Sequence, residues 1–185
     1  MSCMSWADFC QESQELLEMS RRLIDTWSWE EKTSDEGQSY LVYKQKLSDP
    51  LTQDLIQIEY NIVYSISYQV PIMYFQAHHS DGKMLSLESV WQLFLFQKDS
   101  QYSREDMLSI LTQMEHPVLF KPYMCLHPCR TAEILEQMPH SKNRILTFIS
   151  IMGPYLQLNL DNGYGLLCRG EGEYLSDDVK NLPTV

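Results

Sequence analysis

The run Ile56-Gln57-Ile58-Glu59-Tyr60-Asn61-Ile62-Val63-Tyr64-Ser65-Ile66-Ser67-Tyr68-Gln69-Val70 places an apolar residue at almost every second position for fifteen residues. Side chains of a β-strand alternate between its two faces, so this period of two predicts one long strand with a core face and a wet face. Pro71 interrupts it, and Ile72 to Ala77 continues as strand up to a turn at Asp81-Gly82. Upstream, Tyr40 to Leu47 alternates more loosely and ends at Asp49-Pro50, which predicts a first strand. The polar, Gly37-containing stretch from Glu30 to Ser39 reads as a loop.

Outside this β region the period changes. Trp6, Phe9, Leu16, Leu17, Leu23, Ile24 and Trp27 recur at helical steps, with Ser5 as a capping residue. Leu87 to Phe96 has helical spacing, and Ser103 with Asp106 predicts a capped helix running through Met107 to Met114 and stopped by His116-Pro117. Val118 to Leu126 reads as extended. Thr131 to Met138 and Asn143 to Met152 read as helices, closed by Pro139 and by Gly153-Pro154. The fold class that follows is α+β, with an antiparallel sheet flanked by helices on one face. Residues 1–168 are expected to form one domain and the polar residues 169–185 a flexible tail.

Composition narrows the function classes. A chain of 185 residues suits one domain with its own core. The net charge of -11 argues against nucleic acid, whose binding rests on Lys and Arg neutralising phosphates. It suits a basic protein partner, or solubility alone. The apolar runs are too short or too interrupted to span a bilayer, and Met1 to Gln14 has no secretory pattern, so a cytoplasmic protein is expected. The five cysteines (Cys3, Cys10, Cys125, Cys129, Cys168) are then expected as free thiols.

The most reactive-looking segment is Tyr123-Met124-Cys125-Leu126-His127-Pro128-Cys129-Arg130-Thr131. Pro128 cannot continue a β ladder, so the next thiol can be presented at a loop or edge. His127 and Arg130 make its surroundings electropositive, which favours a thiolate. Spacing alone leaves three readings of Cys129 open: a nucleophile, a buried filler, or a zinc ligand with Cys125, His127 and either His116 or Cys168. Phosphate-binding glycine loops and nucleophilic-serine motifs are absent from the sequence.

Several stretches in order resemble one family: Tyr64 to Phe75, Asp81-Gly82, Glu115-His116-Pro117, Leu126-His127-Pro128-Cys129-Arg130-Thr131, and Ser150-Ile151-Met152-Gly153-Pro154 with Leu158-Asn159-Leu160. Trp27 and Trp29 fit as well. The family is that of the autophagy E2-like enzymes that conjugate the ubiquitin-like autophagy-related protein twelve to autophagy-related protein five. The resemblance implies an E2-like core with the active cysteine, Cys129, after the last strand. It implies a thioester received from the E1-like activating enzyme (autophagy-related protein seven) and transfer to a lysine of protein five. No small cofactor and no metal are implied, because the activating enzyme consumes the ATP. A monomer is the default.

Ordinary ubiquitin-conjugating enzymes carry a His-Pro-Asn triplet upstream of the cysteine, whereas this sequence has His116-Pro117-Val118. Candidates for the missing oxyanion or lysine-positioning group are Thr131, Tyr64 and Asn61, with His127 orienting the loop or tuning the thiol. The sister enzyme of the lipid-conjugation branch has a His-Asp-Cys site and a long acidic insertion, and Pro128 and the short Ser48–Asp54 loop argue against it. A non-catalytic E2-like interaction module, recruiting partners at a sheet edge near Tyr40 to Leu47, is the alternative of a different class.

Overall fold

The computed structural model describes residues 4–49, 52–95 and 111–168, leaving aside the side chains at positions 95, 129, 130, 167 and 168. The tail expected at 169–185 and the helix start expected at Ser103 lie outside the described residues. Six strands form one antiparallel sheet in the order β1-β2-β3-β4-β6-β5. They are β1 (Ser28–Glu31), β2 (Ser39–Ser48), β3 (Leu55–Ser65), β4 (Val70–His79), β5 (Leu111–Glu115) and β6 (Pro122–Leu126). The described helices are α1 (Trp6–Leu23), α2 (Leu87–Leu95), α3 (Pro128–Gln137), α4 (Arg144–Met152) and α5 (Asn162–Cys168), with a 3-10 turn at Gly153–Leu156. The α+β expectation therefore holds.

The fifteen-residue alternation is not one strand. It is β3, a tight turn over residues 66–69, and the start of β4, with Tyr64 opposite Pro71 and Ser65 opposite Val70. The turn closes through the Gln69 amide donating to the Ser65 carbonyl at 2.7 Å, with Gln69 itself in the left-handed region at φ 53°. No Gly, Pro or Asn-Gly pair marks this turn, so its alternating residues imitate strand. Ile66 and Tyr68, which a continuous strand would bury, stand half exposed.

Register explains the core. Ile58, Tyr60, Ile62 and Tyr64 of β3 lie opposite Ala77, Phe75, Met73 and Pro71 on the face covered by helices. α1 adds Phe9, Leu16 and Leu17, α2 adds Val90, Trp91 and Phe94, and α4 adds Ile145, Phe148 and Ile149. The other face is not left wholly to water as expected. Tyr40, Val42, Val63, Ile72, Tyr74, Tyr123 and Cys125 form a second buried cluster there, capped by Val118 from the β5–β6 turn.

Four further boundaries differ from the sequence reading. Leu111 to Glu115 is strand rather than the end of a helix, because β6 supplies it with ladder partners. β1 pairs with Ser39 to Val42 of β2, so that part of the segment expected as an edge is interior, while Tyr43 to Leu47 is laddered to β3 alone. α1 stops at Leu23, where Ile24 turns left-handed at φ 57° and is 92% exposed, so neither Ile24 nor Trp27 belongs to the helical stripe. α3 begins at Pro128, three residues earlier than expected, since proline fits the first helical position where its missing N–H costs nothing.

Candidate active site

Only His127 separates the end of β6 from the start of α3. Residue 129 is therefore the second residue of a ten-residue helix. The first turn of a helix has backbone N–H groups without intrahelical partners and the positive end of the helix dipole, and both stabilise a thiolate. Cys125 lies on β6 opposite Tyr74, inside the second cluster. The alternating-strand geometry that the zinc reading needs for Cys125, His127 and Cys129 is thus absent, because the chain has changed from strand to helix between them. Burial pushes the Cys125 thiol up to about 12, and the Cys10 thiol on α1 is also raised, by burial and then by the charge of Glu31. Neither suits nucleophilic work at neutral pH.

The other expected site residues are scattered. His127 is half buried in the β6–α3 link. Thr131 is buried in α3 with its hydroxyl unpartnered. It sits two residues after Cys129, and positions two apart on a helix do not share a face. Tyr64 is on the helix-covered face, where its hydroxyl donates to the Met4 carbonyl at 2.8 Å and its ring lies 5.7 Å from both Trp6 and Phe9. Asn61 is on the opposite face, fully buried, donating to Glu59 Oε1 at 3.3 Å with its own carbonyl oxygen unpartnered. Thus β3 separates Tyr64 from Asn61 rather than joining them in one site.

His116 has a structural task that spacing did not reveal. Its Nδ1 accepts the Val118 and Leu119 amides, both at 3.2 Å, and so organises the β5–β6 turn. Its ring centre lies 5.1, 5.0 and 4.9 Å from those of Tyr40, Tyr74 and Tyr123. Burial lowers its pKa to about 4, opposed only by the charge of Glu59. A neutral, enclosed ring with one nitrogen already accepting cannot serve as a general base at neutral pH.

The same turn borders a groove of about 290 Å³ whose walls include Ile66, Tyr68, Tyr74, Met114, Pro117 and Pro128. Pro128 brings the groove to the residue adjoining Cys129. Nothing in the sequence signalled it, since the β3–β4 turn, β5 and the start of α3 meet only in the fold. Among the described residues no group of three or more His, Cys, Asp or Glu side chains could hold a metal ion, and no helix is long and apolar enough to cross a membrane.

The family model described as autophagocytosis associated protein, active-site domain, matches residues 8–162. The ubiquitin-like-conjugating enzyme ATG10 of Homo sapiens is 30% identical over 167 residues, covering 81% of this chain and 72% of that protein. The protein of the same name from Dictyostelium discoideum is 30% identical over 123 residues, covering 57% of this chain and 53% of its own length. That from Arabidopsis thaliana is 33% identical over 90 residues, covering 46% and 37%. The crystal structure of the autophagic E2 Atg10 superposes with a TM-score of 0.58 at 17% identity, over 86% of this chain and all of the other, which establishes a common fold. With the family model spanning most of the described residues, the chain belongs to the autophagocytosis-associated, active-site-domain family of E2-like conjugating enzymes.

Proposed function

We propose that this protein carries a ubiquitin-like protein as a thioester on Cys129 and hands it to a lysine of an acceptor protein. The observation that carries the reading is the position of Cys129 in the first turn of α3, directly after the last strand, where a thiolate is favoured. The chemistry runs in two exchanges. Cys129 thiolate attacks the thioester carbonyl on the E1-like activating enzyme, forming one C–S bond while the activating enzyme's thiolate leaves. The acceptor amine then attacks the same carbonyl, a C–N bond forms, and Cys129 departs as thiolate while the amine proton passes to solvent. The partners proposed are autophagy-related protein seven as activating enzyme, autophagy-related protein twelve as the carried protein and autophagy-related protein five as acceptor, met in the cytoplasm. The His-Pro-Cys triplet at 127–129 in its resembling surroundings supports that assignment over the lipid branch. His127, in the link just before Pro128 and Cys129, is proposed as a positioning group.

The test is incubation with activating enzyme, ATP and the ubiquitin-like protein, followed by a non-reducing gel. Wild type is expected to give a shifted band that reductant removes. Cys129→Ala is expected to give none, and Cys129→Ser an oxyester that reductant leaves in place, without onward conjugation. Absence of the wild-type band with active partners sinks the reading, and a Cys129→Ser protein that still supports conjugation points to the non-catalytic module instead.

A further inference from the structure

A cavity of about 530 Å³ lies between α4, α5 and the residues that follow α3, a size that suits a small molecule. Met138 in its wall stands at the opposite end of α3 from Cys129, about 13 Å along the helix axis. Leu146 and Ile151 of α4 supply further apolar wall. Two of its polar side chains are already engaged. Asn143 Oδ1 accepts the Leu146 amide at 2.9 Å, and its Nδ2 donates to the Glu12 carbonyl at 2.9 Å and to Glu15 Oε2 at 3.1 Å. The Tyr164 hydroxyl donates to Asp25 at 2.7 Å. What remains is a set of donors. Ser141 and Thr147 share one hydrogen bond at 2.6 Å, and whichever of them donates, the hydrogen of the other is left over. Lys142 carries the only charge among the ten lining residues, and it has no ion pair among the described residues.

Spare donors and one unpaired cation beside an apolar wall call for a ligand that accepts hydrogen bonds, bears a negative charge and carries an apolar chain. One ammonium matches a singly charged carboxylate better than a doubly charged phosphate. A peptide would bring N–H donors as well, and the wall has no carboxylate and no free side-chain amide to accept them. Charge also sets the orientation. An adjoining cavity of about 280 Å³ shares Ser150, Tyr164 and Gly165 and contains Asp161, so the two ends of the hollow differ in sign. We propose that the cavity binds a free medium-chain fatty acid, its carboxylate at Lys142 and the Ser141–Thr147 pair, its chain against Met138, Leu146 and Ile151. Burial of the methylenes supplies the affinity, and the ammonium fixes which end lies where. The site is separate from Cys129 and its binding does not depend on the thioester reaction.

The test follows the fluorescence of dansyl-labelled undecanoic acid on the full chain, displaced by dodecanoate or by dodecanol, all below micelle-forming concentrations. Wild type is expected to bind the probe saturably at one site and to release it to dodecanoate. Lys142 is exposed, so Lys142→Gln leaves the fold alone. It is expected to raise the Kd of dodecanoate about tenfold and to leave that of dodecanol unchanged. Gly165 offers a variant that blocks the cavity. A Cβ there would meet nothing within 4 Å, so Gly165→Leu is accommodated in α5 and crowds the space beside the cavity. With an unchanged circular dichroism spectrum, this variant is expected to lose binding of both acid and alcohol. Absence of saturable binding would overturn the proposal, as would equal affinity of wild type for acid and alcohol. Undiminished binding by Gly165→Leu would place the ligand elsewhere and overturn it too. Lys142-dependent binding to phosphatidylglycerol vesicles, with no binding of dissolved dodecanoate, would give the face to a membrane surface instead.

Discussion

His116 shows how one residue's setting decides its chemistry. In sequence it is half of a His-Pro pair, and in the fold it is the buried hub of three tyrosine rings with Nδ1 accepting two turn amides. Its pKa falls from 6.5 to about 4. Above pH 6.5 the ring is neutral in folded and unfolded chains alike. As the pH drops from 6.5 towards 4, only the unfolded chain takes up the proton, so stability is lost across that window, by at most about 3 kcal/mol. His116→Asn keeps a side-chain acceptor for the turn and removes the titration. Urea midpoints measured from pH 7 to pH 4.5 are expected to fall less for this variant than for wild type, and parallel curves would refute the assignment.

At the scale of elements, the helix ends are the informative places. α1 opens with a reciprocal capping box, in which Ser5 Oγ accepts the Asp8 amide at 3.1 Å and Asp8 accepts the Ser5 amide at 3.0 Å. It closes badly, because Ile24 is a β-branched residue held left-handed where glycine is preferred. Ile24→Gly is expected to stabilise the protein by about 1 kcal/mol, since a 92% exposed side chain gives up little burial. A rise in thermal midpoint is the readout, and a fall would show that Ile24 makes a contact of value. α4 is tied to α1 at its start. Asn143 Oδ1 caps the Leu146 amide at 2.9 Å while its Nδ2 donates to the Glu12 carbonyl at 2.9 Å, and the Arg144 guanidinium meets Glu12 at 2.6 Å. Asn143→Ala removes the cap and the added bond to the Glu12 carbonyl, which keeps its partner within α1, so a loss of about 1 kcal/mol is expected in equilibrium denaturation. A loss within 0.5 kcal/mol, the size of an ordinary surface change, would contradict this account.

The whole molecule is fastened by a polar chain through its core. Tyr60 of β3 donates to the Leu156 carbonyl at 2.6 Å, Gln45 of β2 donates to Tyr60 at 2.7 Å and to the Gln157 carbonyl at 2.8 Å, and Gln157 donates to the Leu93 carbonyl of α2 at 2.8 Å. Sheet, 3-10 turn and α2 are thereby locked in one arrangement, and the sequence separations reach 112 residues. The loop after the turn also presses close, for a Cβ at Gly153 would stand 2.4 Å from the Leu158 carbonyl oxygen. Tyr60→Phe keeps the ring and orphans a buried carbonyl, so a cost of about 1 to 3 kcal/mol is expected, with thioester loading at 25 °C retained. Lost loading in a protein that still folds would mean that Tyr60 serves the site directly.

The sequence by itself determined the α+β class, α1 with its Ser5 cap, β2, α2 and α4. These rest on local physics: periodicity, capping and the effect of proline are properties of a few neighbouring residues. It could not separate β3 from β4, since Ser65 to Val70 alternates as a strand does and only the pairing of Tyr64 with Pro71 reveals the turn. It assigned Leu111 to Glu115 to a helix because strand identity there is conferred by β6, and it missed β1, whose four residues gain their ladder from β2. The tertiary structure alone set Tyr64 and Asn61 on opposite faces, buried Cys125, enclosed His116 and brought Ile66, Met114 and Pro128 to one groove. Those outcomes depend on which distant segments share a surface, and distance along the chain carries no such information.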